Sequence, residues 1–175
     1  MNTQTKWFER KFDFSVEQNI FPSVIRRLGD TPGRLEEIIQ SVSGDALHVK
    51  IDGRWSVKEN IGHLIDLEPL WVGRLDDILN GETYLRTADL QNRKTDQANH
   101  NASGLRSLLQ GFRAARNNTV HRLLQLTEKE IYSAALHPRL KTPMRMMDHF
   151  YFVAEHDDHH LVAITSILQT FLINE

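Results

Sequence analysis

The sequence predicts an all-α fold, a four-helix bundle, and three observations predict it. Apolar residues recur at i, i+3, i+4 and i+7 over four long stretches. No segment carries the apolar/polar alternation of a convincing strand. The 175 residues, which include no cysteine, are enough for one domain (1–175) with a sizeable core and no disulfide framework. Helices striped in this way are stable when they bury the stripes against one another.

The elements follow in order. The first clear helix follows Thr31-Pro32, with Thr31 as N-cap and Pro32 at the first helical position. Leu35, Ile38, Ile39 and Val42 form its stripe, and Ser43-Gly44-Asp45 closes it. The preceding FPSVIRRLG reads as a separate short helix or as part of a bent first helix. The second helix opens at Ser56, where Glu59 completes a capping box. Leu64, Leu67, Trp71, Leu75 and Ile78 form its stripe; it continues across Pro69, which predicts a kink rather than a break, and Asn80-Gly81 ends it. From Glu82 to Ala102 the chain is polar and without period, a long connection of the kind that often carries function. The third helix spans Ser103 to Leu126, with Leu105, Leu108, Phe112, Thr119 and Leu123 inward. An irregular stretch containing HPRLKTP follows. The fourth helix starts at Thr142-Pro143 and runs to Leu172, with Met146, Phe150, Val153, Ile164, Ile167 and Phe171 inward.

Composition excludes several classes. The net charge is −2 and the charged residues are interspersed, so there is no electrostatic footprint for nucleic acid or an anionic membrane. The polar start MNTQTKWFERKFDF is not a signal peptide, and no apolar run approaches the roughly 20 residues of a membrane span. The expected location is the cytoplasm. Exposed apolar helix surface would allow a homodimer. Without cysteine, any metal must use His, Asp or Glu.

The chemistry-bearing feature is His156-Asp157-Asp158-His159-His160, set inside the last apolar stripe. His156 and His160 stand one turn apart on the buried face, a ready chelate for a divalent transition metal. His159 points about 100° away from His160, and His149 lies two turns before His156, so neither suits the same ion. A third ligand should come from a facing helix, and His63, at the edge of the second stripe, is the candidate. Three imidazoles plus water make an open site of the catalytic kind. Ligand softness favours Zn, Ni, Fe or Co over Mg or Ca, with Mn as a further candidate. Asp157 and Asp158 read equally as solvated charges or as groups that orient an imidazole, a role open to Glu59 too; Asp66, Glu68 or Asp157 could act as a base. Arg116 could hold a substrate anion or pair with Glu59 or Glu68. His48, His100, His121 and His137 read as structural or surface residues. No glycine-rich phosphate loop, serine-nucleophile motif or zincin helix is present.

WSVKENIGHLIDLEPLWVGRL, the stretch ending in QANHN, and HPRLKTPMRMMDHFYFVAEHDDHHLVAI together resemble the DinB-like superfamily. The resemblance covers the chain from about Phe21 onward; its most specific elements are the WSxxExxxHLxxxE pattern and the late HxxxH pair. It implies an up-down-down-up bundle with long connections. It also implies a divalent metal, often Zn or Ni, on His63, His156 and His160. For function it implies a small-molecule enzyme, either a transferase using a low-molecular-weight thiol or a metal-dependent hydrolase. A non-catalytic, metal-stabilised stress or binding protein is the third reading.

Overall fold

A computed structural model describes residues 4–40, 42 and 44–174. Four long helices dominate: α1 (Phe21–Ile39), α2 (Val57–Leu79), α4 (Leu105–Leu123) and α6 (Met146–Asn174). Two short helices, α3 (Arg93–Gln97) and α5 (Glu128–Tyr132), and a two-stranded antiparallel sheet, β1 (Ala134–Leu136) with β2 (Pro143–Arg145), fill the connections. α1 and α2 lie diagonally opposite, each packed between α4 and α6.

The contacts give the direction of every helix. Arg116 and Arg113 of α4 meet Leu28 and Glu36 of α1 in reversed order, so these helices are antiparallel. Gly111, Arg116 and Arg122 follow Ile65, Glu68 and Asp76 of α2 in the same order, so α2 and α4 are parallel. α6 runs against α2, with His160 near His63 and Phe152 near Trp71. The result is up-down-down-up, which requires the long connections that the sequence shows.

Three expectations are corrected. Thr31 is not an N-cap: α1 begins at Phe21 and continues through Pro32, so FPSVIRRLG is its first half. Pro32 lacks an N–H and leaves the Leu28 carbonyl without its helical partner. That carbonyl accepts from Arg116 Nη1 at 3.2 Å, which offsets the loss. Ser43 of the expected closure lies outside the described residues, and Asp45–Leu47 forms a 3-10 turn. Second, Pro143 does not open the last helix. It pairs with Leu136 in β2, and α6 starts at Met146, where the Asp148 carboxylate accepts from the Arg145 N–H at 2.9 Å. Strands of three residues are too short to declare a period. Third, 82–102 is not structureless. α2 has two glycine notches that dock it: a Cβ at Gly73 would overlap the Arg86 guanidinium, and one at Gly62 the His100 ring. Arg86 then grips Asp77, and His100 Nε2 reaches Asp66 at 2.8 Å.

The core is two apolar clusters. One gathers Phe21, Val24, Leu28, Leu75, Ile78 and Phe150 near one end; the other gathers Leu35, Ile39, Ile61, Leu64, Phe112 and Ile164 near the other. Between them every long helix contributes buried polar side chains: Thr31, His63 and Glu68, Arg116 and Thr119, His156, Asp157 and His160. This polar waist holds the candidate site. No described helix is long and apolar enough to cross a membrane.

Candidate metal centre

Burial of the α6 stripe against α2 brings His63, His156 and His160 together. Each offers one ring nitrogen, all within 4.8 Å of one another, and all three residues are buried. Ring centroids lie 4.5 Å apart for His156–His160, 4.9 Å for His63–His160 and 5.4 Å for His63–His156. The Nε2 atoms of His156 and His160 are 3.2 Å apart. Two nitrogens on a tetrahedral Zn²⁺ at roughly 2.0–2.1 Å would be separated by about 3.3 Å, so the spacing suits a shared ion.

The outward nitrogens are held by neighbours. His160 Nδ1 lies 2.8 Å from Asn60 Oδ1, an acceptor because the Asn60 amide nitrogen already donates to the Ser56 carbonyl. Nδ1 of His160 therefore carries the proton, and its Nε2 is a lone pair. His63 Nδ1 lies 3.0 Å from Thr95 Oγ1, whose hydroxyl donates to Asp66 Oδ2 at 3.0 Å. That chain also puts the proton on Nδ1 and frees Nε2. His156 packs edge-on to Trp7 and has no hydrogen-bond partner for Nδ1. The donor set therefore fits a transition metal: two oriented lone pairs, a third imidazole short of partners, and one side open to a cleft. Burial lowers the pKa of His63 to about 4 and holds His156 and His160 well below 6.5. All three are neutral at pH 7, the form that binds metal.

The remaining candidates go elsewhere. Glu59 is spent on the capping box at Ser56 and an ion pair with Lys50 at 2.7 Å. Asp66 acts at one remove, through Thr95. Glu68 and Asp157 both bind Arg116, which is fully buried. Arg116 thus holds no substrate anion; its partners are Glu68, as one reading expected, and Asp157. Burial disfavours its charge, but Asp157 and Glu68 outweigh this and hold its pKa above the ordinary value. His149 is buried against Trp71 off the site, and His48 and His121 are exposed.

The three histidines open onto a cleft of about 1400 Å³ between α2, α6, the 82–102 connection and the N-terminal arm. Trp7, Trp55, Leu67, Trp71 and Phe152 give it an aromatic, largely apolar wall, and His159 faces it from α6. None of Glu59, Asp66, Glu68, Arg116 or Asp157 lines it. The sequence reading missed Asn60, Thr95, Arg74 and the tryptophans, and placed His100 and His137 too far outside. Asn60 had a signal, one helical turn before His63 on the same face. Thr95 had none, because a docked loop obeys no period.

A sequence model described as the DinB superfamily matches residues 27–164. No curated protein matches the chain. Among solved structures, YfiT from Bacillus subtilis, described as a probable metal-dependent hydrolase with an unusual four-helix bundle topology, superposes with a TM-score of 0.80. It is 20% identical, with 93% of this chain and 94% of that chain covered, a likeness of fold.

Proposed function

Because the chain belongs to the DinB superfamily, we propose that His63, His156 and His160 hold a divalent transition metal, Zn or Ni foremost, in an enzyme that joins a low-molecular-weight thiol to an electrophilic small molecule. The observation that carries the choice of reaction is that every carboxylate expected to act as a base is already engaged. Asp66 is held by Thr95 and His100, and Glu68 and Asp157 by Arg116, so none of the expected carboxylates is available to activate water. When bound, the metal supplies an electrophilic centre that favours the thiolate form of a thiol at neutral pH. Thiol chemistry then needs no carboxylate.

The chain's own residues do the rest. Asn60 and the Thr95–Asp66 pair fix the His160 and His63 rings, so their Nε2 atoms keep one aim. Trp7 and Trp71 close around His156, with ring centroids 4.9 and 5.6 Å away, and exclude water from that side. The apolar cleft takes the hydrocarbon part of the electrophile.

Hydrolysis is the second reading, and one residue favours it. His159 lines the cleft, and burial together with Arg10 lowers its pKa below 6.5, so it is a neutral base at pH 7. Purified protein assayed for metal and for conjugation of monochlorobimane with a panel of small thiols separates the readings. We expect turnover that requires both metal and thiol. Thiol-independent ester or amide hydrolysis, abolished by His159→Gln, would replace the transferase reading. Bound metal with no turnover in either assay would leave a metal-stabilised, non-catalytic protein.

A further inference from the structure

The far end of the same cleft contains an unanswered pair of donors. Arg74 of α2 is 2% exposed and His137, after β1, is 3% exposed; both line the cleft. His137 Nδ1 accepts two backbone N–H groups, from Arg139 at 3.2 Å and Leu140 at 3.1 Å. It must therefore be a lone pair, and the ring proton sits on Nε2. Nε2 lies 3.3 Å from Arg74 Nη1. Both atoms are donors, so this approach is not a hydrogen bond. Two N–H groups converge on one place with no acceptor between them.

Arg74 is otherwise unpaired. Its Nε donates to the Arg86 carbonyl at 3.0 Å, and no chain acceptor reaches Nη1 or Nη2 among the described residues. Asp77, the acid whose charge acts on it, is gripped by Arg86 through both oxygens. A buried guanidinium without a carboxylate is costly. The cost shows in its pKa, lowered to about 10 chiefly by burial. Water would supply the missing acceptor; a carboxylate supplies acceptor and charge together, and its two oxygens match the Nη1/Nη2 fork. His137 is neutral at pH 7, with burial, Arg74 and Arg139 lowering its pKa to about 4, so Arg74 is the fully buried charge to be matched, with half-buried Arg139 on the same cleft wall.

We propose that Arg74 and His137 form a carboxylate-binding subsite that anchors one end of the substrate. His63 and Arg74 are eleven residues apart on α2, within about 20° of one face and roughly 16 Å along the axis. Leu67, Leu70, Trp71 and Phe152 line the space between. The substrate class is accordingly an elongated carboxylic acid with an apolar middle, its reactive end at the histidines. The substrate role rests on the proposed function of this cleft; the carboxylate subsite itself does not require the metal.

The test uses metal-free protein at pH 8, titrated with hexanoate, 1-hexanol and hexylphosphonate and followed by thermal shift and tryptophan fluorescence, Trp71 being stacked beside Arg74. Hexanoate should saturate, hexanol should not, and Arg74→Met should weaken hexanoate at least tenfold. ¹⁵N NMR should show His137 as the Nε2–H tautomer, a measurement that stands even if Arg74→Met does not fold. An Nδ1–H tautomer would let Nε2 accept from Arg74, which would dissolve the site. Equal hexanoate binding by Arg74→Met, or none by the parent, would overturn it. Tighter hexylphosphonate would overturn the carboxylate class. Because no metal is present, these outcomes are independent of whether His63, His156 and His160 bind one.

Discussion

His156 and Asp157 are consecutive in α6, equally buried, and enter opposite kinds of polar assembly. Asp157 points into the bundle centre, where Arg116, Glu68, Thr119 and Thr31 meet it and one another, with at least one residue from each long helix. Arg116 has its donors answered there, including one by the carbonyl that Pro32 freed. His156 points toward the cleft, with Nδ1 unpartnered and Nε2 facing His160. The comparison separates structure from function within one turn of helix. A buried polar group whose bonds close within the chain holds helices together and offers nothing to a ligand. One left short of partners beside a cavity is poised for something that arrives from outside.

The largest expected effect breaks the closed side. Arg116→Met removes the cation and leaves two buried carboxylates with one hydroxyl donor each and no counter-charge, which should destabilise the protein by about 3–5 kcal/mol, read as a lower urea midpoint. Replacing Arg116, Glu68 and Asp157 together by apolar residues should recover most of that loss. If Arg116→Met were as stable as the parent, the waist would not be held by this network. The open side should behave in reverse. His156→Ala or His63→Ala should reduce bound metal from one ion per chain to none while circular dichroism still reports a folded bundle. Full metal occupancy in both variants would sink the ligand assignment.

A smaller effect sharpens the contrast at its edge. Thr95 belongs to the docked connection and touches the site only through His63 Nδ1. Thr95→Val keeps the shape and removes the hydroxyl link to Asp66. Metal affinity should fall by about 10–100-fold, with the stoichiometry unchanged at saturation. Unchanged affinity in a competition titration against a chelator would mean that the Thr95–Asp66 chain does not orient His63.

How much of this was legible in the sequence follows the same division. The stripes of α2, α4 and α6 were readable because packed helices impose a period on apolar residues, and the same period placed His156 and His160 on the buried face. Ser56 and Glu59 announced the start of α2, and the structure shows that capping box. Pro32 misled because a proline after threonine looks like a helix start; its tolerance inside α1 depends on a side chain 84 positions away. Arg116 offered both readings, and only the fold could show it sealed off from the cleft. His137 looked like a loop histidine because its importance comes from a hairpin turn that folds back onto its own ring. Contacts that close over long sequence separation leave no periodic trace.

The smallest effect is one of pH, and Glu68 should oppose the site histidines in its sign. Burial lowers the His63 pKa from 6.5 to about 4. Above pH 6.5 the ring is neutral in both the folded and the unfolded chain. Between 6.5 and 4 the unfolded chain takes up a proton that the folded one refuses, so stability falls as the pH drops, by at most about 1.4 kcal/mol per pH unit for each such histidine. His156 and His160, also lowered by burial, add to the same slope. Glu68 acts oppositely: burial raises its pKa, so the folded state binds its proton more readily and acid relieves rather than adds strain there. Metal-free protein should therefore lose stability steadily from pH 6.5 toward 4, and His63→Gln should flatten that slope by up to one proton's worth. An unchanged slope in His63→Gln, measured from urea midpoints across that range, would mean that His63 is not the desolvated neutral imidazole that the open side of the waist requires.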